Sequence, residues 1–249
     1  MKTTKIIKDT FLIAWMKSFP DLKRNPLVLI VIALISAIPL FFMAVFAAEG
    51  MLIHGLIGAL VSTVSFIGVA TGIQDISWDR YVKIREMIVA MPVHPASYAI
   101  GIALAPLLLS VPSLLFFGAI IAFLGFLDVT TVLWVIISLI TAWATTSAFG
   151  FIISTYLYKA SPMMLNNLSN LLGLGLIFIP PVYYPETLLG SLSWISVALP
   201  TSNVAGLIRY YMGLLSLSQE ALIIRWLVLG ITTVVFIILT SLKSKWRET

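Results

Sequence analysis

The chain has 249 residues, of which 60% are hydrophobic and 10% charged, with no cysteine, two histidines and a formal net charge of +5. Soluble domains carry about a quarter charged residues, so this composition excludes a water-facing globule. The missing cysteines exclude disulfides, thiol catalysis and cysteine metal sites, and His54 and His94 are too few for a histidine-built metal centre. Several uninterrupted apolar runs are long enough to cross a bilayer, since ~20 residues at 1.5 Å rise span a ~30 Å hydrocarbon core. Continuous runs, rather than ~10-residue alternating segments, point to helices and not to a β-barrel. The expected fold is an all-α polytopic membrane protein with six transmembrane helices, built as a single transmembrane domain over residues 1–249.

Residues 1–26 are mixed and basic, and Ile7, Phe11, Ala14, Trp15 and Ser18 recur at helical spacing. The spacing predicts an amphipathic helix on the membrane surface, with a solvated tail as the alternative. Asn25-Pro26 is a turn signal before the first span at 27–48. A very short link at Glu49-Gly50 makes a helical hairpin with the second span at 52–73. Residues 74–97 form a charged interlude containing Asp75, Asp79, Arg80, Lys83, Arg85 and Glu86. The third span follows at 98–124, with Pro106 and Pro112 inside it, and the fourth at 131–158. The fifth covers 163–179 and ends at Pro180-Pro181. Residues 182–217 are apolar but broken by Pro185, Gly190, Pro200, Gly206 and Gly213. Their pieces are too short to cross, so an outer re-entrant helical hairpin is expected there. The last span lies at 221–242.

Orientation follows from Lys and Arg. With the N-terminus inside, thirteen of the fifteen fall on the inner side: six before the first span, three at positions 80–85, Lys159, and three after the last span. Only Arg209 and Arg225 fall outside. Both termini are therefore expected in the cytoplasm, which requires an even number of crossings. The excess of positive charge reads as basic cytoplasmic ends rather than as a nucleic-acid surface.

No G-x-x-x-x-G-K-[ST], H-E-x-x-H or G-x-S-x-G occurs, so the chain has no Walker-type ATP site and no recognisable hydrolase motif. Span interiors hold almost no ionisable groups, whereas ion and proton paths usually need them. Energy for uphill transport would then come from another subunit, although sodium coupling through backbone carbonyls stays open. Two constellations stand out. The charged interlude reads as a short amphipathic helix that docks a partner, or as a solvated loop whose basic residues fix topology. In the fifth span Asn166, Asn170 and Gly173 share one helical face at i, i+4, i+7. Such a face makes a permeation pathway, a dimer seam or internal packing. Ser138, Thr141 and Thr145 form a similar stripe, best read as packing.

The order of these features resembles type 2 ABC exporter permeases. The resemblance rests on the basic amphipathic start, Arg24-Asn25-Pro26, and the charged loop in which Asp79-Arg80 is followed by Glu86-Met87-Ile88-Val89-Ala90-Met91-Pro92-Val93. It rests too on Pro180-Pro181-Val182-Tyr183-Tyr184-Pro185 and on Leu199-Pro200-Thr201 through Leu207-Ile208-Arg209. One departure is that Tyr81-Val82-Lys83-Ile84-Arg85 fills a stretch where many relatives carry Gly.

The resemblance implies a membrane-spanning subunit of the cell membrane of a prokaryote, not itself an enzyme. It would pair with a second permease copy or paralogue and bind two copies of an ABC ATPase that holds ATP and Mg. Asp79, Arg80, Lys83, Arg85 and Glu86 would form the coupling helix docked on the ATPase, and the surface helix with Ile7, Phe11 and Trp15 would support that contact. Lipids, drugs, glycans and peptides are all carried within the family. Two other readings compete: a stand-alone secondary carrier or channel, and a non-transporting membrane scaffold or immunity-type protein.

Overall fold

The computed structural model describes residues 2–46, 50–83 and 93–243. About 85% of the chain is helical, and no strand occurs among the described residues. In chain order the helices are α1 Lys2–Arg24, α2 Leu27–Phe46, α3 Met51–Tyr81, α4 Pro95–Phe123, α5 Val129–Tyr156 and α6 Pro162–Phe178. A 3₁₀ segment at Glu186–Leu192 and the short α7 Trp194–Ala198 lead to α8 Pro200–Tyr211 and α9 Gln219–Lys243. Among the described residues four helices are long and apolar enough to cross a membrane: α3, α4, α5 and α9, the last over Gln219–Leu242. The bent pair α1–α2 qualifies as a fifth, with an angle of 99° between Thr4–Arg24 and Leu29–Phe41. α6, with 17 residues, is not among them.

Helix starts follow local chemistry. His94 caps α4 by accepting from the Ala96 N–H at 3.2 Å, Asp128 caps α5 by accepting from Thr131 N–H at 2.6 Å, and Ser161 caps α6 by accepting from Met164 N–H at 3.2 Å. Proline occupies the first turn of α4, α6 and α8, where its missing N–H costs nothing. Inside α4, Pro106 and Pro112 interrupt the backbone ladder. The indole of Trp143 on α5 donates to the Ala103 carbonyl at 3.1 Å, close to the carbonyl that Pro106 leaves without a donor.

The organising element is α3. Its most apolar window is 89% buried, against 11% for α9, and it packs against α2, α4, α5, α6 and α8. Small residues make this possible, because lipid gives helices no hydrophobic reason to associate and close backbone approach must supply the contact. Gly72 meets Gly150 of α5 so tightly that a Cβ would lie 2.8 Å from the Gly150 backbone. Gly68 faces Thr146 one turn along the same crossing, and Gly58 seats the ring of Tyr183. The buried core runs through Leu56, Ile57, Leu60 and Val64 to Phe117, Ile177, Val204 and Ile208. By contrast α9 lies on the outside of α5 and α8, exposing Ile223, Leu227, Ile231 and Val234.

Two expected faces are divided by packing. On α1 the buried stripe is Thr10, Ala14 and Ser18, laid against α4 at Gly101, while Ile7, Phe11 and Trp15 point outward. Small residues, together with Ile13 on Gly101, take the protein side, and Ile7, Phe11 and Trp15 do not. On α6 the buried stripe is Leu165, Ser169, Gly173 and Ile177. Gly173 abuts Phe66 of α3, Asn166 is half-buried, and Asn170 is exposed. Ser138 and Thr145 of α5 are buried, and the Thr145 hydroxyl meets that of Thr233 on α9 at 2.5 Å.

Candidate functional site

Polar side chains collect at the two ends of the bundle. At the end where α3 finishes, Asp79 is 2% exposed. Its Oδ1 accepts from Lys17 Nζ of α1 at 2.5 Å, and its Oδ2 accepts from the Tyr98 hydroxyl of α4 at 2.7 Å. A buried carboxylate is tolerated only when paired and hydrogen-bonded, and here each oxygen has a donor on a different helix. Ser97 adds a bond from its hydroxyl to the Ile6 carbonyl at 3.2 Å. One joint therefore fixes α1, α3 and α4 together.

The predicted docking residues separate around this joint. Asp79 points inward. Arg80 is half-buried, with Nη2 at 3.4 Å from the Ser154 hydroxyl of α5. Lys83 is exposed just past the helix end, at φ 60°. Arg85 and Glu86 lie outside the described residues. The sequence reading missed Lys17 and Tyr98 as Asp79's partners. No local pattern signals them, because they lie 62 and 19 positions from Asp79 along the chain.

At the opposite end a second joint surrounds the segment after α6. Arg209 of α8 is 1% exposed and donates to the carbonyls of Pro181 and Val182 at 2.9 and 2.5 Å. Both carbonyls lie past the end of α6, outside its backbone ladder, and the arginine fork takes them. Tyr183 reaches into the core, pairing its hydroxyl with Ser62 at 2.6 Å and donating to the Ser36 carbonyl at 3.3 Å. Arg225 of α9, 3% exposed, donates to Glu186 at 2.5 Å and lies flat on Gly206. On the polar side of α8, Thr201 donates to the Leu176 carbonyl at 2.5 Å and Asn203 to the Val197 carbonyl at 2.7 Å. Arg209 and Arg225 were visible in the sequence as two cations in an apolar region. Such cations require partners, and Glu186 was the carboxylate to look for.

Between the two joints a cleft of about 200 Å³ runs along α3, between α2 and α4. Ser36 of α2 and Thr63, Phe66, Thr71, Gln74 and Asp75 of α3 are among its lining residues. The Ser36 and Thr63 hydroxyls pair across α2 and α3 at 2.6 Å, and Gln74 donates to Ser169 of α6 at 2.5 Å. The exposed face of α6 carries Asn167, Asn170, Leu171 and Leu174. Among the described residues no group of three or more His, Cys, Asp or Glu is placed to hold a metal. The arrangement is two polar joints toward the ends of α3, a mostly apolar cleft between them, and amides facing out of α6. No protein-family model matches this sequence, and no curated protein is significantly similar to it.

Proposed function

We propose that this chain is the membrane-spanning permease subunit of an ATP-driven ABC exporter, moving substrate out of the cytoplasm or inner leaflet with energy from a separate ATPase. The observation that carries the reading is the Asp79 joint. Helix α3 is about 46 Å long at 1.5 Å per residue, so its final turns project beyond a ~30 Å apolar layer. There the buried ion pair and the Tyr98 bond brace it against α1 and α4. A braced lever leading into the charged segment is what a chain without its own ATP site needs in order to take up force from outside. Asp79 then positions the lever, while Lys83 and the charged residues after it meet the ATPase.

On this reading α2, α3, α4, α5, α6 and α9 make six crossings, with both termini in the cytoplasm of a prokaryotic cell. The 17 residues of α6 stand at the lower end of the ~17–25 that cross. The 3₁₀ segment, α7 and α8 form the outer re-entrant hairpin. A second permease copy covers the exposed amides of Asn167 and Asn170, which hydrocarbon would leave unsatisfied at several kcal/mol each (~4–8 in an alkane). The cleft beside α3 is the place for an amphipathic cargo.

Affinity purification from the native cell tests this. An ATPase subunit is expected to co-purify, and Arg80→Glu, Lys83→Glu and Arg85→Glu together are expected to release it. If the chain instead purifies alone and drives uptake that depends on an ion gradient, it is a secondary carrier and the proposal fails.

A further inference from the structure

The outward face of α1 is left unused by the proposed function. α1 meets α2 at 99° across Asn25-Pro26. A helix at a right angle to a membrane-crossing neighbour runs along the membrane surface. Its protein-facing side carries Thr10, Ile13, Ala14 and Ser18 on α4, with Lys17 reaching Asp79. The remaining arc displays Phe11, Leu12, Trp15, Met16 and Phe19, each more than 40% exposed, and the rings of Trp15 and Phe19 stack at 4.6 Å.

Three cations share that arc. At 100° per residue Lys8 falls between Trp15 and Phe19, while Lys5 and Lys23 fall beside Leu12 and Met16, and all three are exposed. Lysines interleaved with large apolar side chains fit poorly into a protein groove, which would strip water from every ammonium. They fit the boundary of a bilayer, where the stems lie on apolar surface and the ammonium groups rise to the headgroups.

We infer that α1 is a docking surface for anionic phospholipid headgroups in the leaflet where α2 begins. Phe11, Trp15 and Phe19 enter the acyl boundary, and Lys5, Lys8 and Lys23 select the negative headgroup. Because Lys17 and Asp79 tie α1 to α3, the bound lipid surface bears on the end of α3. This assignment needs α2 to cross a membrane but needs no ATPase, so it stands or falls separately from the exporter reading.

The test uses the full chain in phosphatidylcholine vesicles containing spin-labelled phosphatidylglycerol or spin-labelled phosphatidylcholine. The immobilised fraction of each label gives the selectivity. The wild type is expected to hold phosphatidylglycerol roughly threefold over phosphatidylcholine at low salt, falling toward parity in high salt. K5Q/K8Q/K23Q is expected to lose the preference, and K159Q, at the same membrane face, to keep it. Should the triple variant fail to fold, K8Q and K23Q singly are each expected to lower the ratio part-way. A nitroxide at Met16→Cys is expected to be reached by oxygen and shielded from a water-soluble nickel relaxant. Equal retention of the two lipids by the wild type would overturn the inference. So would a preference that survives loss of the three lysines, or a Met16 nitroxide as open to the nickel reagent as a soluble site.

Discussion

The Asp79 joint makes a quantitative prediction. Lys17→Met leaves a carboxylate that is 2% exposed and still bonded to the Tyr98 hydroxyl. Breaking a buried ion pair from one side destabilises by ~3–5 kcal/mol. The Lys17 side chain is 28% exposed, so solvent screens part of this, and about 2 kcal/mol is expected. Tyr98→Phe removes one hydrogen bond to a charged group and should lose ~1.5–3 kcal/mol. Replacing both ends, as Lys17→Met with Asp79→Leu, removes the stranded charge as well. The double variant should therefore fall short of the summed single losses by at least about 1 kcal/mol. The assay is reversible unfolding in mixed micelles titrated with a denaturing detergent, with tryptic cleavage of α1 as a local readout. The single variants should expose α1 to trypsin before the rest of the bundle opens. Lys17→Met and Tyr98→Phe each within ~0.5 kcal/mol of wild type, or strict additivity in the double variant, would refute the claim that Asp79 joins three helices.

Gly72→Leu should be among the most damaging single changes. Its Cβ would press on the Gly150 backbone at 2.8 Å, where no side chain can move aside, so a loss above about 3 kcal/mol is expected in the same assay. Arg225→Met strands Glu186 and should loosen the 3₁₀ segment, which buries no side chain of its own; faster labelling of a cysteine at Leu188 would report it, and Arg225→Lys should rescue in part. Asp128, outside the spans, has its carboxyl held below the ordinary value of 3.8 by hydrogen bonds from Thr131. A lowered folded-state pKa contributes stability above the unfolded value that is lost as pH falls through the folded one. Asp128→Ala should therefore lower the melting temperature at pH 7, and the gap to wild type should close below about pH 4.

The sequence by itself determined the class of the molecule and most of its elements. Apolar run length fixes where helices of α3, α4, α5 and α9 lie, because a bilayer demands continuous apolar surface and internally satisfied backbone. Capping residues and prolines mark where helices start, because those signals act within a few residues. The same locality explains what stayed hidden. Asn166, Asn170 and Gly173 share a face in one dimension, yet a helix neighbour is needed to turn Gly173 toward Phe66 and Asn170 away from the protein. Ile7, Phe11 and Trp15 read as an apolar stripe, but only packing reveals that the small residues Thr10, Ala14 and Ser18 take the protein side and leave the large ones outside. Asp79 read as a surface charge in a charged segment. Tertiary structure made it a buried joint, because its partners Lys17 and Tyr98 sit 62 and 19 positions away along the chain and meet it only when three helices pack. Periodicity assigns a residue to a face; which face meets protein, and which partner waits there, is decided by contacts between distant segments that no local pattern encodes.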